Sequence, residues 1–407
     1  MPTVFDFAWL IPLLPLLAFV AMSLFGHRSR ALNQQLIVIS CVLALMVFLS
    51  AVIAAGEGRL PVETTLINRW LSLGNRDLPL GIYIDPASAV VLSALSLICL
   101  MVFVYGKETM REDSSNSRFF AIVSLLTASM FGLLVFNNLL LFFIFWEIMD
   151  GCAYLLIGLR HEKKSAFEAG LKTFLVTRVG GLLLLLGLAL LYATTGSLAY
   201  SDVFSPEKLD VLAHTGFLGT PFPLAALIAL LLFGGVVSKS AQFPLHVWLP
   251  EANQAPASAL IHTTMTAAGA FLLIRAFPLF DAAAESLLIP NLGMTIVTLI
   301  GTLTAIFAAL VAVAQRDIRH ALSFSVIGQL GYVVAALGMG PYVAGVFHLI
   351  TSIFFNALLV LAAGSVVRGM ARGHQDELGD EGFNPNDMLN MGGLRKRQPV
   401  TFWTFLI

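Results

Sequence analysis

Long apolar runs broken by short polar segments repeat along the chain from end to end. Stretches of about 20 mostly apolar residues, enough to cross a bilayer, lie near 7–25, 35–55, 82–105, 118–136, 138–159 and 170–193. Five more lie near 222–243, 257–280, 290–314, 319–338 and 342–367. The pattern predicts an all-α polytopic membrane protein with eleven full spans and a twelfth that starts at Pro399 and reaches Ile407 in mid-helix. Nine apolar residues cannot cross a bilayer, so the chain is expected to be a fragment or a gene product cut short. The longest polar stretch, Arg368–Gln398, carries GHQDELGDEG and NMGGLRKRQ and reads as a solvated loop. Segments 56–81 and 194–221 are the other sizeable connections. The first holds Trp70 and Leu71 among charges and is expected to pack at the membrane interface.

Composition agrees with lipid as the main solvent. Of 407 residues, 58 % are hydrophobic and 12 % charged, against about 25 % charged in a soluble domain. A net charge of −1 excludes a basic nucleic-acid footprint. Cys41, Cys99 and Cys152 lie far apart in apolar stretches, so they signal neither a disulfide framework nor a metal site. They read as small buried apolar residues. The N-terminus lacks a positive charge, which favours a first span over a cleaved signal peptide. No phosphate loop or nucleotide motif is present. Sixteen of the 23 Lys and Arg fall in the loops after odd-numbered spans and five in the others. That bias puts the N-terminus outside and the odd loops in the cytoplasm. The glycines of GGLLLLLGLALL at 180–191 suit close helix packing.

Charges inside the spans carry the candidate chemistry, because each raises the insertion free energy by about 2.5–3.5 kcal/mol at mid-bilayer. Glu147 sits in FFIFWEIMDGCAYLLIG, and Asp150 follows on the same helix face. Two ionised carboxylates there would repel, so one is expected to hold its proton near neutral pH. The plainer alternative for Glu147 is a structural ion pair with Arg178 of the next span. Lys239 lies in LLLFGGVVSKSAQFPLHVWLPEA, where Gly234, Gly235, Pro244 and Pro250 are expected to interrupt the helix. Broken backbone is tolerated at membrane depth only against protein or a water-filled cavity. An ammonium placed there can load and release protons, because desolvation favours its neutral form; the plainer alternative is a lysine snorkelling to the interface. His246, His262 and His348 can pass protons through two ring nitrogens, although a lone helical histidine is more often a hydrogen-bonded core residue. Arg316, Asp317, Arg319 and His320 read as topology anchors at the start of the tenth span.

Several blocks resemble one family. They are WLIPLLPLL, YIDPASAV, SRFF, NNLLLFFIFWE, YLLIG, VTRVG, KSAQFPLHVWLPEA, SALIHTTM, DIRHALSFSVIGQLGY, FHLI, GSVV and MGGLRK. The family is the antiporter-like membrane subunit of respiratory complex I, specifically subunit L (chain 5) of NADH-quinone oxidoreductase. The resemblance covers essentially the whole chain, with KSAQFPLHVWLP its most specific block. It implies a proton channel of two inverted five-helix repeats. Residues 1–117 would hold the N-terminal spans, 118–280 the first repeat and 290–407 an incomplete second. It also implies a relay in which Glu147 sits beside Lys239, His262 leads toward the second half, and His348 follows. Members of this type are longer, so the C-terminal third would be missing.

The chain departs from the family pattern at three places. Ser352 and Asn356 stand in HLITSIFFNAL where the family has a histidine and a lysine, Gly181 replaces the acid of RVGD, and APASALIH is shortened. The central route therefore lacks two titratable groups. The resemblance implies a non-redox translocase subunit that binds no cofactor or metal itself, with NADH and quinone used by partner subunits. It also implies the other membrane and peripheral subunits of complex I as partners, in a bacterial plasma membrane. The alternatives are an antiporter-like subunit of a cation/proton antiporter, a membrane hydrogenase or a bicarbonate-uptake complex, or a non-conducting paralogue. The same carboxylate–lysine arrangement suits sodium as well as protons.

Overall fold

The structure, a computed structural model, describes all residues except 1–2, 74–75, 112, 161, 221, 255–257, 284–291, 378–382 and 407. Helices α1 (Leu10–Phe25) and α2 (Arg30–Gly56) open the chain, and a hairpin of β1 (Val62–Leu73) and β2 (Arg76–Ile84) follows. Next come α3 (Pro86–Thr109), α4 (Asn116–Val135), α5 (Leu139–Ile157) and α6 (Lys164–Thr195). Short helices α7 (Tyr200–Val203) and α8 (Pro206–His214) lead to α9 (Leu224–Lys239). After an irregular stretch, α10 (Ser258–Leu260) passes through a π turn at Ile261–Met265 into α11 (Thr266–Arg275), and α12 (Phe277–Ala282) follows. Helices α13 (Leu292–Ala314), α14 (Ile318–Gly338), α15 (Tyr342–Glu377), α16 (Leu394–Arg397) and α17 (Pro399–Leu406) complete the chain.

Among the described residues, nine helices are long and apolar enough to cross a membrane. Their outward faces expose Leu24, Leu49, Val104, Leu186, Leu310 and Phe347. Apolar surface on that scale is stable against lipid tails and not against water. The protein is a multi-pass integral membrane protein.

One predicted boundary moves. The span expected from residue 82 begins as strand, because β2 pairs antiparallel with β1 as far as Val62 opposite Ile84. The helix starts only at Pro86, where Asp85 accepts a 2.7 Å bond from the Ser88 amide. Proline at the first turn has no amide hydrogen to leave unpaired. The hairpin is tied to the helices through Asn137, whose side chain accepts from the Gly81 amide at 2.9 Å.

Glycines set two close seams. A Cβ on Gly180 of α6 would fall on the Ser238 side chain of α9, and one on Gly234 would meet Leu183 at 2.5 Å. Gly187 faces Leu232 in the same seam. Gly234 and Gly235 therefore do not interrupt α9, as the sequence suggested, but let it lie against α6. In the second seam, Gly301 of α13 and Gly331 of α14 approach each other's backbones.

The break comes five residues after Gly235, at Ser240, and its freed polar groups find partners. Trp248 Nε1 donates to the Ser238 carbonyl at 2.9 Å, Gln242 Nε2 to the Ser240 carbonyl at 2.9 Å, and the Phe243 amide to Thr304 Oγ1 at 3.0 Å. An irregular backbone survives at membrane depth because these bonds replace the lost helical ones.

Candidate functional site

Lys239 is the last residue of α9 and is fully buried. Its ammonium donates to Asp150 Oδ1 at 2.5 Å and to the Trp146 carbonyl at 2.9 Å, and lies 4.5 Å from the Trp146 ring centroid. Asp150 is also fully buried. The snorkelling alternative therefore fails, since the amine turns inward to α5.

Glu147 takes a different partner. Its carboxylate pairs with Arg178 of α6, whose guanidinium lies 4.7 Å from the Phe174 ring centroid. The family pattern led to Glu147 beside Lys239, but the structure sets Asp150 there. Residues three apart on a helix differ by about 60° around its axis. That rotation turns Asp150 toward α9 and Glu147 toward α6. Each carboxylate thus faces its own cation. Gly181 touches this region directly, because a Cβ there would come within 2.5 Å of Glu147 Oε1. That oxygen is itself buried and has no partner among the described residues.

His262 stands in the π turn and bridges to the second half of the molecule. Its Nδ1 lies 2.8 Å from the Ser258 carbonyl and its Nε2 2.9 Å from Ser323 Oγ of α14. A carbonyl only accepts, so the proton sits on Nδ1 and the neutral ring accepts from Ser323 at Nε2. Ser323 Oγ also lies 2.9 Å from the Arg319 carbonyl. If Nε2 gains a proton, the hydroxyl can turn and donate to that carbonyl instead. Ser240, next to Lys239, bonds the Thr266 carbonyl at 3.3 Å, and Thr266 Oγ1 donates to the His262 carbonyl at 2.6 Å. Ser240, Thr266 and Ser323 were not singled out from the sequence. Each is a hydroxyl in a common helical context, and only the fold brings Ser323 to a histidine 61 positions away.

The remaining candidates stand apart. His246 stacks on Phe243 with ring centroids 5.9 Å apart, and packs edge-on to Phe307 at 5.0 Å. His348 lies edge-on to Tyr332 at 6.2 Å with Nε2 unpartnered, and no bond joins it to His262 among the described residues. His348, Ser352 and Asn356 recur at four-residue spacing, hence on one stripe of α15. Ser352 and Asn356 are buried, and Asn356 Oδ1 has no partner among the described residues. Asp317 caps α14 by accepting from the amides of Arg319 and His320. Among the described residues, no group of three or more His, Cys, Asp or Glu could hold a metal ion. Three free cysteines are buried, as expected of apolar packing residues.

Residues 136–407 match the family model described as NADH:quinone oxidoreductase/Mrp antiporter, TM, and residues 70–120 match that of NADH-ubiquinone oxidoreductase (complex I), chain 5 N-terminus. The chain belongs to this family of complex I chain 5 and antiporter-like membrane subunits. It is 39 % identical, over its whole length, to NAD(P)H-quinone oxidoreductase chain 5 of Synechocystis and to the chloroplastic subunit 5 of Anthoceros angustus. It spans 59 % and 55 % of those relatives. A chain of the archaeal membrane-bound sulfane sulfur reductase shares the fold, with TM-score 0.78 and 22 % identity over 98 % of this chain and 76 % of that one. A chain of the Mrp complex from Dietzia sp. DQ12-45-1b aligns with TM-score 0.69 and 27 % identity, over 88 % of this chain and 38 % of that one.

Proposed function

We propose that this chain is a proton-translocating, non-redox membrane subunit of an NAD(P)H:quinone oxidoreductase, with the cofactor and quinone handled by partner subunits. The fully buried Lys239–Asp150 pair at the broken end of α9 carries the reading. An ammonium held there keeps its proton as long as the carboxylate faces it charged. Weakening that contact removes the attraction and favours release. Glu147 lies one turn away on α5, so a change of charge at the Glu147–Arg178 pair acts on Lys239 through space and through any movement of α5. His262, with its Ser323 hydroxyl, is the next group able to take the proton toward α14.

The test is proton pumping by the assembled complex in sealed vesicles. Lys239→Ala, Asp150→Asn and Glu147→Ala are expected to lower pumping more than they lower assembly. Normal pumping by all three correctly assembled variants would remove the assignment. A second reading, a subunit of a cation/proton antiporter, draws on the Dietzia Mrp likeness. Affinity purification of the tagged chain, followed by mass spectrometry of its partners, separates the two. NADH- and quinone-reacting subunits support the first reading, and an antiporter set supports the second.

A further inference from the structure

Away from the ion pairs, a cavity of about 350 Å³ opens where the ends of α3 and α5 meet the starts of α10 and α14 and the later turns of α15. Arg160, Arg319 and Arg368 all line it, together with Tyr105, Thr109 and Ser258. Among the described residues, its lining contains no carboxylate. Arg160 pairs outward with Asp113 at 2.9 Å, and Arg368 donates to the Thr109 carbonyl and hydroxyl at 3.2 Å each. Two of these three guanidiniums are thus held in place by contacts that leave most of their donors available. The rest of the lining is aliphatic, including Val102, Leu322 and Val360. All of these helix ends adjoin the loops after odd-numbered spans, which together hold sixteen of the 23 Lys and Arg.

We propose that this cavity binds the phosphate group of an anionic phospholipid. Three guanidiniums in one concavity match phosphate oxygens with forked donors. The aliphatic half of the lining suits the first carbons of acyl chains, which free phosphate lacks. Basic pockets between helices at the cytoplasmic face are a recurrent setting for such headgroups. The volume is within the range of sites that enclose a small ligand. The site also borders the histidine. Ser258 supplies the carbonyl facing His262 Nδ1, and Arg319 the carbonyl facing Ser323. Lipid bound here would therefore brace both elements that hold His262.

The experiment measures lipid retained by the full chain purified in mild detergent, and its melting temperature on adding phosphatidylglycerol, phosphatidylcholine or inorganic phosphate. Phosphatidylglycerol is expected to be retained and to raise the melting temperature, with phosphatidylcholine and inorganic phosphate well behind. Arg368→Gln is expected to lower phosphatidylglycerol affinity about fivefold, and Arg368→Lys to restore most of it. Arg59→Gln, on the opposite side, serves as a control and is expected to change nothing. Equal effects of the two lipids, or folded Arg368→Gln and Arg319→Gln variants that bind as wild type, would overturn the proposal. A response to inorganic phosphate equal to that of phosphatidylglycerol would overturn the lipid as its source.

Discussion

Replacing Asp150 by Asn is the most discriminating single change, because it separates the partner that the structure gives Lys239 from the one implied by resemblance. Both side chains of the pair are 0 % exposed. Asp150→Asn leaves the ammonium with the Trp146 carbonyl and ring alone, a buried charge without a counter-charge. Such half-removals cost about 3–5 kcal/mol. Glu147→Gln differs, because Arg178 is 34 % exposed and its charge can be met by water or headgroups. Loss of that pair is expected to cost about 1 kcal/mol. Replacing both members of the buried pair, as Asp150→Leu with Lys239→Met, removes the stranded charge, and its stability is expected to return to within about 2 kcal/mol of wild type. Asp150→Leu and Lys239→Met made singly should then be non-additive by about 2 kcal/mol or more. Reversible unfolding in mixed micelles titrated with SDS measures wild type, these two singles, their double, Asp150→Asn and Glu147→Gln. If Glu147→Gln costs as much as Asp150→Asn, or if the double variant is as unstable as the two singles combined, the pairing assigned to Lys239 is refuted.

Other expectations follow from local geometry. Gly181→Asp, which restores the acid common in the family, should push Glu147 Oε1 away and loosen the Arg178 pair, at about 1–3 kcal/mol in the same unfolding measurement. Ser323→Ala leaves His262 Nε2 buried without a partner and should cost about 1–3 kcal/mol; Ser323→Thr, keeping the hydroxyl, should recover part of that. At the loop, the Ser115 backbone amide, and then Arg160, hold the Asp113 carboxyl below its usual 3.8. A depressed folded-state value adds stability above pH 3.8 that is lost as pH falls through the folded value. Wild type should therefore exceed Asp113→Asn in melting temperature at pH 7, with the difference shrinking as the pH falls below 3.8; a gap that widens in acid would contradict this.

Nine of the eleven expected spans were legible because each is a long apolar run, whereas those expected at 222–243 and 257–280 are broken into shorter helices among the described residues; Lys239 was legible because a charge inside such a run demands a reason. The hairpin escaped notice altogether, since 56–81 read as an irregular connection and IYI before Asp85 as part of the apolar run that follows it. The pairing of Lys239 escaped as well. Glu147 and Asp150 occupy one face in any helical projection, and the choice between them depends on how α5 is rotated against two neighbours, which sequence spacing alone does not encode. Gly234 and Gly235 looked like breakers, yet their lack of side chains serves the α6–α9 seam. Ser323 is visible only after folding, because its importance lies in a contact from a distant part of the chain.

The glycine seam between α6 and α9 has a mechanical consequence. With Gly180, Gly187 and Gly234 admitting the opposite helix so closely, α6 and α9 have little room to slide or roll against each other. Arg178 and Lys239 are therefore mounted on one rigid plate, and both of their carboxylates sit on α5. A shift of α5 along that plate strains both ion pairs in the same stroke, like a single bar lifting two tumblers of a lock.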